Sequence, residues 1–590
     1  MPAIINQDAE TRQIKQGQFK NTGLSKINLI KRANALKLEG STWTATWKDL
    51  STYVYPTKGF FYQATPNQGS KIDHKTLIDE EASLAVDTFS SGMTSGFTSP
   101  SRPWFELFLD DPYLMEFAPV KYWLDDVRNI MLDIFQRSNT YTVLTSMYKE
   151  LAIFSTACTY IEEDFKNVIH LRPYTAGEYY LGCDQKGRVN AFYRRFWMTA
   201  GQMVKEFGRE NVSPKVQAQY QLNTPDAWNI VNHLIEENDD RIPFLKDYRN
   251  MPYRSAYWED GIQDDDFLRI GGYEEFPLLT PRWDTTTTSD AYGKGGPGWK
   301  ALGSVKELQK KVKNLLIALD KKTNPPLQAD ASVIGEVNTL PGGITRFSAQ
   351  LPNAGVRPTY QVDLDIANLD LSIEKTKAKI RKFFFSDLFL MMIEAERQGR
   401  QVTATEVMEK QSEKLSILGP LLERWQGDDF IKALIERTFN IGMRAGVFPE
   451  PPAELQGIEL KIRYTSILAQ AQRITGINAI DQWVGSVLAV AEANPNIIDN
   501  INFDALAKEK AEMLGVPAKI INSPETIAAI RRAKAEIVAK QEAIQKNLMM
   551  ADAAGKGAKA VESMSKAEIG KGSALDALTE KIQEAREQQQ

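Results

Sequence analysis

GKGGPGWKALGSVKELQKKVKNLLIALDKKTNPP, residues 293–326, and LDIANLDLSIEKTKAKIRKFFFSDLFLM, residues 364–391, frame a short insert rich in Pro and Gly, and their reading decides the fold. Over 306–322 the apolar residues Leu308, Val312, Leu315, Leu316 and Leu319 recur at helical spacing, while Lys306, Lys310, Lys313 and Lys321 fall largely elsewhere on the wheel. That pattern predicts a helix with one packing face and one cationic face. Over 369–391 the residues Leu369, Ile373, Ile380, Phe384, Leu388 and Met391 repeat it, with Lys375, Lys377, Lys379, Arg381 and Lys382 crowding the rest of the first turns. On these residues alone the plain alternative is a pair of surface helices with solvated lysines.

The insert, 325–363, carries Pro325, Pro326, Pro341, Gly342, Gly343, Pro352, Gly355 and Pro358, which break β-prone runs at 343–347 and 359–362. A module this small cannot build a large core, so neighbouring subunits are expected to stabilise it. Turn positions Asn338, Asn353 and Arg357 are its candidate docking residues, because turns held between rigid helices present fixed polar groups. After the second helix, residues 392–402 hold Glu394, Glu396, Arg397 and Arg400 beside Gly399, a composition that predicts a mobile loop. Thr403-Ala404-Thr405-Glu406 then reads as a capping box, in which Thr403 accepts from the backbone N–H of Glu406 and Glu406 reaches back to the cap. Pro420 falls within the apolar pattern of Leu415, Leu418, Leu421, Leu422 and Trp425 and predicts a kink near 416–420.

Elsewhere, residues 1–25 are polar and read as an arm, and Trp43, Trp47 and Leu50 mark a helix that ends before Pro56. Helices are expected over 75–93, 117–137, 141–154 and 198–207. Strands are expected at 101–108, 157–163, 168–172, 178–181 and 188–196, with a strand-rich stretch at 251–282. Together these make an α+β lobe. Beyond 460 the chain turns helical and alanine-rich, with helices over 477–493 and 503–514. Ser523 and Pro524 open a long helix in which Ile530, Ile537 and Ile544 recur every seven residues, while Lys534 and Gln541 spoil the other seam.

Ser138-Asn139-Thr140-Tyr141, Tyr148-Lys149-Glu150-Leu151, Tyr160-Ile161-Glu162-Glu163-Asp164, Leu171-Arg172-Pro173-Tyr174 and Gly177-Glu178-Tyr179-Tyr180 follow one another through that lobe. Tyr292-Gly293-Lys294-Gly295-Gly296-Pro297-Gly298, Asn324-Pro325-Pro326 and Val402-Thr403-Ala404-Thr405-Glu406-Val407 come after them. In this order the strings resemble the head-to-tail connector, or portal, family of short-tailed bacteriophages. The resemblance implies a mostly helical α+β portal fold. In it, 26–298 form the wing, 299–324 and 364–391 the stem helices, 325–363 the clip and 392–402 the tunnel loop. Residues 403–460 would be the kinked helix region, 461–522 the crown, and 523–590 a C-terminal helix that forms a barrel or a partly disordered tail.

The same resemblance implies a dodecameric ring around a central channel at one capsid vertex of the virion, assembled in the host cytoplasm. Its implied partners are copies of itself, the major capsid and scaffolding proteins, the terminase large subunit, then the tail adaptor, and double-stranded DNA passing through the channel. Glu394, Glu396, Arg397 and Arg400 would face that channel, and Lys306, Lys310, Lys313, Lys375, Lys379 and Lys382 would form the basic face of the stem. A head-completion or adaptor ring, typically much shorter, and a nucleotide-dependent DNA-processing enzyme are the alternatives.

Composition agrees with a structural role. A chain of 590 residues exceeds one ordinary core, and 43% hydrophobic with 25% charged residues is globular usage. A net charge of −5 is the wrong sign for a protein that grips duplex DNA through phosphates, but it suits a conduit that DNA slides through. The two cysteines, Cys158 and Cys183, are too few for a disulfide framework and point to folding in a reducing cytoplasm. No apolar leader or membrane-spanning run is seen. The acidic runs 264–266 and 236–240 read as solvated loops. Catalytic material is thin: His74, His170 and His233 are scattered, no metal or cofactor motif is present, and no GxSxG elbow occurs. The glycine string at 293–298 lacks the GxxxxGK[ST] spacing, and Pro297 deletes an N–H that a phosphate nest needs, so a hinge between lobe and helix is the expectation.

Overall fold

The computed structural model describes residues 24–61, 77–389, 424–455, 461–464, 480–514 and 527–546, less short interruptions within these spans. The chain forms two compact units, 1–515 and 516–590. In the second, a helix runs over 527–540 and leaves Ile530 and Ile537 exposed.

Among the described residues the first unit opens with helix α1, Lys26–Tyr53, which buries Leu29, Ala33, Leu36, Trp47 and Leu50 at helical spacing. Helix α2, Glu81–Gly96, begins later than the expected 75. Tertiary bonds explain the delay: the backbone N–H groups of Ile78 and Asp79 both donate to Gln309 Oε1, at 2.7 and 3.0 Å, which holds them out of a helix. Helices α3, Ala118–Arg137, and α4, Thr140–Phe154, match their expected spans, and α4 ends at Ser155 in the left-handed region, φ 65°.

Strands β2, Cys158–Asp164, and β3, Val168–Tyr174, pair antiparallel, and β9, Leu278–Leu279, adds to the other side of β2. The larger sheet is an antiparallel meander of β4, Tyr179–Cys183, β5, Val189–Thr199, β6, Trp228–Glu237, β7, Tyr253–Glu259, and β8, Arg269–Tyr273. Its central strand β6 was not expected from sequence, because Asn229, Asn232 and His233 interrupt the apolar pattern; all three are buried. The acidic run at 236–240 is correspondingly no simple solvated loop: Glu236 and Glu237 are the last two residues of β6, and Glu236 pairs with Arg254 at 2.6 Å. Helix α5, Ala200–Phe207, starts after the expected 198, because Thr199 ends β5 and forms a capping box with Gln202. Helix α6, Pro214–Gln221, completes the lobe.

Helix α7, Pro297–Thr323, helix α8, Ile366–Phe383, and helix α9, Ile431–Arg444, pack on this body. Arg282 reaches Asp429 with Nε at 3.2 Å and bonds the carbonyls of Gly187 and Asp290, while Trp425 Nε1 donates to Arg282 O. Arg437 on α9 bonds Ile161 O and Glu275, and Arg444 pairs with Glu163 at 2.8 Å. Past 460 the expectation of helix fails first: Lys461–Tyr464 is a strand, β14, paired antiparallel with β1, Phe105–Phe108. A helix over 480–491 and another at Phe503–Leu514 then fall within the expected spans.

The five-stranded sheet contains a cross-strand row of Arg194, His233, Tyr257 and Arg269. His233 stacks on Tyr257 at 3.7 Å with Nε2 against Ser255 Oγ, and Arg269 lies 4.7 Å over Tyr257. Burial, then the charges of Arg194, Arg269 and Arg172, hold the His233 imidazole well below its usual pKa, so the folded chain keeps it neutral. The unfolded chain protonates it below about pH 6.5, so this contribution to stability is complete above that pH and is lost as pH falls through it. We expect thermal melting temperature to fall between about pH 7 and pH 5, and His233→Phe, which keeps the stack, to flatten that dependence. Parallel pH profiles of the two chains check this.

Candidate functional site at the helical pair and its insert

The helical pair is rooted in the body by close packing. Gly293, Gly296 and Gly298 are buried, and a Cβ on them would lie 2.0 Å from Ser155 O, 2.6 Å from Ser155 Oγ and 2.6 Å from Ile153 O, respectively. The N–H of Gly296 donates to Ser155 Oγ at 2.9 Å, and Trp299 Nε1 donates to Phe154 O. Trp43, Trp47, Tyr292 and Trp299 cluster beside this contact, with ring centroids 5.0 to 6.2 Å apart. Where a hinge was expected at 293–298 there is a close-packed joint, in which Gly293, Gly296 and Gly298 serve close approach and only Gly295, at φ +70°, uses the freedom of glycine.

From that root α7 and α8 run antiparallel. Lys311 Nζ donates to Ser372 Oγ at 2.9 Å and Thr376 Oγ1 at 3.0 Å, and one turn back along α7 Glu307 feels the charge of Lys379, further along α8. Lys311 also pairs with Glu307, and its hydrogen bond holds that carboxyl below its usual range. Ile373, Thr376 and Ile380 form the buried face of α8, and Phe384, just past its end, is buried too. Helix α8 is tied to α2 by Lys377 to Asp79, 2.8 Å, and Arg381 to Glu81, 2.6 Å, carboxylates that sit at the positive N-terminal end of α2. Gln309, a polar residue within the apolar stripe of α7, holds the irregular segment leading into α2.

The expected packing stripe of α7 is only partly packed. Leu308 is buried and Val312 and Leu315 are half-buried, but Leu316 and Leu319 are exposed, as are Ile317 of α7 and Leu371 of α8. The expected basic face divides as well. Lys306 pairs with Asp49 of α1 at 2.6 Å and lies over Tyr53, whereas Lys310, Lys313, Lys375, Lys379 and Lys382 are exposed. Lys311, Asp49, Asp79, Glu81 and Gln309 were not singled out from sequence; the polar Gln309 on an apolar face is the one signal that pointed to a tertiary role.

The described residues of the insert form two small antiparallel ladders. Strand β10, Leu327–Ala329, pairs with β13, Val356–Pro358, and β11, Val333–Ile334, pairs with β12, Arg346–Phe347. The expected run at 343–347 contains β12. Of the run expected at 359–362 only Thr359 is among the described residues; its N–H donates to Pro326 O at 2.8 Å, which continues the β10–β13 pairing past Pro358. Arg357 is thus an exposed strand residue opposite Gln328 rather than a turn residue. Asn338 is exposed, yet its Oδ1 accepts from Leu340 N–H at 3.0 Å and its own N–H donates to Thr345 Oγ1, so it shapes the loop it sits in. Leu327, Ile334, Leu340 and Ile344 are exposed around these positions. Asn353, the loop residues Glu394, Glu396, Arg397 and Arg400, the cap pair Thr403 and Glu406, and Pro420 lie outside the described residues.

Among the described residues no group of three or more His, Cys, Asp or Glu could hold a metal ion, and no helix is long and apolar enough to cross a membrane. Cys158 is buried and Cys183 half-buried, both as free thiols. Burial pushes the Cys183 thiol up to about 11, so it is protonated at neutral pH.

The profile of the family described as bacteriophage head to tail connecting protein matches residues 26–521. A "Probable portal protein" of Bordetella phage BPP-1 is 39% identical over 532 residues, covering 90% of this chain and 94% of the relative. A "Portal protein" of Salmonella phage epsilon15 is 38% identical over 554 residues, covering 94% and 98%. The chain belongs to the bacteriophage head to tail connecting proteins, a family of phage portals that work at the head–tail junction.

Replacing Lys311 with Met removes its bonds to Ser372 and Thr376, and we expect a loss of about 1 kcal/mol of stability. Lys310→Met and Lys313→Met, at exposed positions, should stay within about 0.5 kcal/mol. Chemical denaturation followed by tryptophan fluorescence compares the three. Asn338→Ala should free the loop around 340–345, seen as faster amide hydrogen exchange there with α7 and α8 unchanged.

Proposed function

We propose that copies of this chain assemble into a ring around a DNA channel, set at one vertex of the capsid in the virion. Helices α7 and α8 are the stem, the insert is the clip, and the body is the wing. Residues 392–402 are the tunnel loop, 403–460 the kinked helix region and 461–522 the crown. The ring is dodecameric, joins the major capsid and scaffolding proteins during assembly, receives the terminase large subunit at the clip, and later holds the tail adaptor there. Genomic DNA passes inward during packaging and outward during ejection, and the chain itself performs no enzymatic step.

The observation that carries this reading is surface left bare on a rooted arm. Leu316, Ile317, Leu319 and Leu371 on the helices, and Ile334, Leu340 and Ile344 on the insert, are exposed although the helices below them are fixed in the body. Soluble chains seldom expose so much apolar surface in one region unless further chains cover it. Both portal relatives span nearly the same length as this chain, which supports the same part for it. A head-completion or adaptor ring, typically much shorter, fits that length less well.

Negative-stain microscopy of the purified chain tests the reading: rings with a central hole are expected, and compact monomers with measurable ATP turnover would overturn it. A second expectation concerns the exposed cations. Changing Lys375, Lys379 and Lys382 together to Glu should leave the fold of each subunit intact, since all three are exposed, but impair ring formation, packaging or DNA retention. Circular dichroism, ring counts and packaged genome length together decide it, and a normal phage yield with full-length genomes would speak against any role for that face.

A further inference from the structure

Helix α8 does not fade at its end; it is broken there. Phe385 has a φ of +56°, in the left-handed region that a bulky aromatic residue rarely enters. The next residue, Ser386, is buried, and its hydroxyl has no hydrogen-bond partner. Beyond the break helix resumes at once over 386–389, where the N–H groups of Leu388 and Phe389 both donate to Phe385 O, at 3.0 and 3.3 Å. Both a strained dihedral and an unsatisfied buried hydroxyl oppose this bend, so something must hold it.

What holds it is a seat on α2. Phe389 is buried with its ring over Gly92, so close that a Cβ at position 92 would lie 2.1 Å from the ring. Its centroid is 5.7 Å from that of Phe89, one turn earlier on α2, at an interplanar angle of 85°. Glycine in a helix interior costs stability, and here its lack of a side chain is what makes the seat. The same face of the two helices is joined further back by Lys377 to Asp79 and Arg381 to Glu81. Those two pairs fix α8 up to the break, and the Phe389 seat fixes the chain after it.

We propose that the bend at Phe384 and Phe385 is a sprung joint with two states, bent while Phe389 occupies the Gly92 seat and straight when it leaves. In the straight state Phe385 returns to the right-handed helical region and α8 continues through 389. Ser386 then gains a partner, because a helical serine hydroxyl bonds the carbonyl four residues back, here that of Lys382. The strain at Phe385 and the orphan hydroxyl both favour the straight state, and the aromatic seat favours the bent one. The joint therefore sets the direction in which the chain leaves α8, and whatever displaces Phe389 redirects it. This inference rests on α2 and α8 alone and does not depend on ring assembly.

Pulsed electron resonance on the full chain tests it, with spin labels at Lys375→Cys and Asp387→Cys, both exposed positions, in a Cys183→Ser background. In a continuous helix these two Cα atoms stand about 18 Å apart. The parent chain should show a shorter separation, and Phe389→Ala should shift the distribution toward the straight-helix value. Gly92→Ala, which fills the seat without touching α8, should do the same. Phe385→Gly removes the penalty for the left-handed conformation and should reduce the straight fraction about tenfold. A parent chain already at the straight distance, or seat variants that leave the distribution unchanged, would overturn the proposal, as would a Phe385→Gly chain that becomes straighter.

Discussion

The approach of the backbone at 293–298 to the left-handed turn at Ser155 is the contact on which the distal structure depends. Three buried glycines let the first turn of α7 lie against the carbonyls of Ile153 and Ser155, where any side chain would clash. Leverage gives the contact its importance. A helix of 27 residues spans about 40 Å, so a rotation of only about 5° at the root would move its tip by about 3.5 Å. An arm of that length presents its insert in a fixed place only when its root is packed at crystal-like density, and the cluster of Trp43, Trp47, Tyr292 and Trp299 supplies that packing.

Charge plays a secondary part and is spent on joining segments far apart in sequence. Lys306 to Asp49 joins two side chains that are each more than a third exposed, and contributes little beyond orientation. Arg282 differs: it is buried, and its guanidinium reaches Asp429, Gly187 O and Asp290 O, so it locks the return of the chain after 424 to the body. Removing Asp429 would leave a buried cation without its carboxylate, a far larger penalty than losing a surface pair. Glu150 follows the same logic, since burial raises its carboxyl pKa while Lys58, Thr175 and the N–H of Ala176 satisfy its oxygens.

The amphipathic helices were legible in the sequence because their periodicity is a local property. Trp47 and Leu50 of α1, Leu308 of α7, and Ile373 and Ile380 of α8 are all buried where the pattern placed them. What sequence could not show is where a packing stripe runs out. Leu316 and Leu319 continue the stripe of Leu308, yet the body ends before them, and only the fold reveals that they are bare. Strand β6 was missed for the opposite reason: Asn232 and His233 are buried with partners, Asp260 and Ser255, supplied by residues distant in sequence. The glycine string misled in a third way, since flexibility and close approach leave the same residue in the sequence. At the candidate site, Lys306 and Lys310 look alike on the wheel, but Asp49 claims one and leaves the other in solvent.

Amide hydrogen exchange of the full chain tests the rooted arm most directly. The segment 293–308 should exchange as slowly as the central strands β5 and β6, while 327–359 at the tip exchanges fast, because the root is buried and the insert is open to water. A root that exchanges as fast as the insert would mean that 293–298 is a hinge after all, and that the helical pair is not a fixed arm.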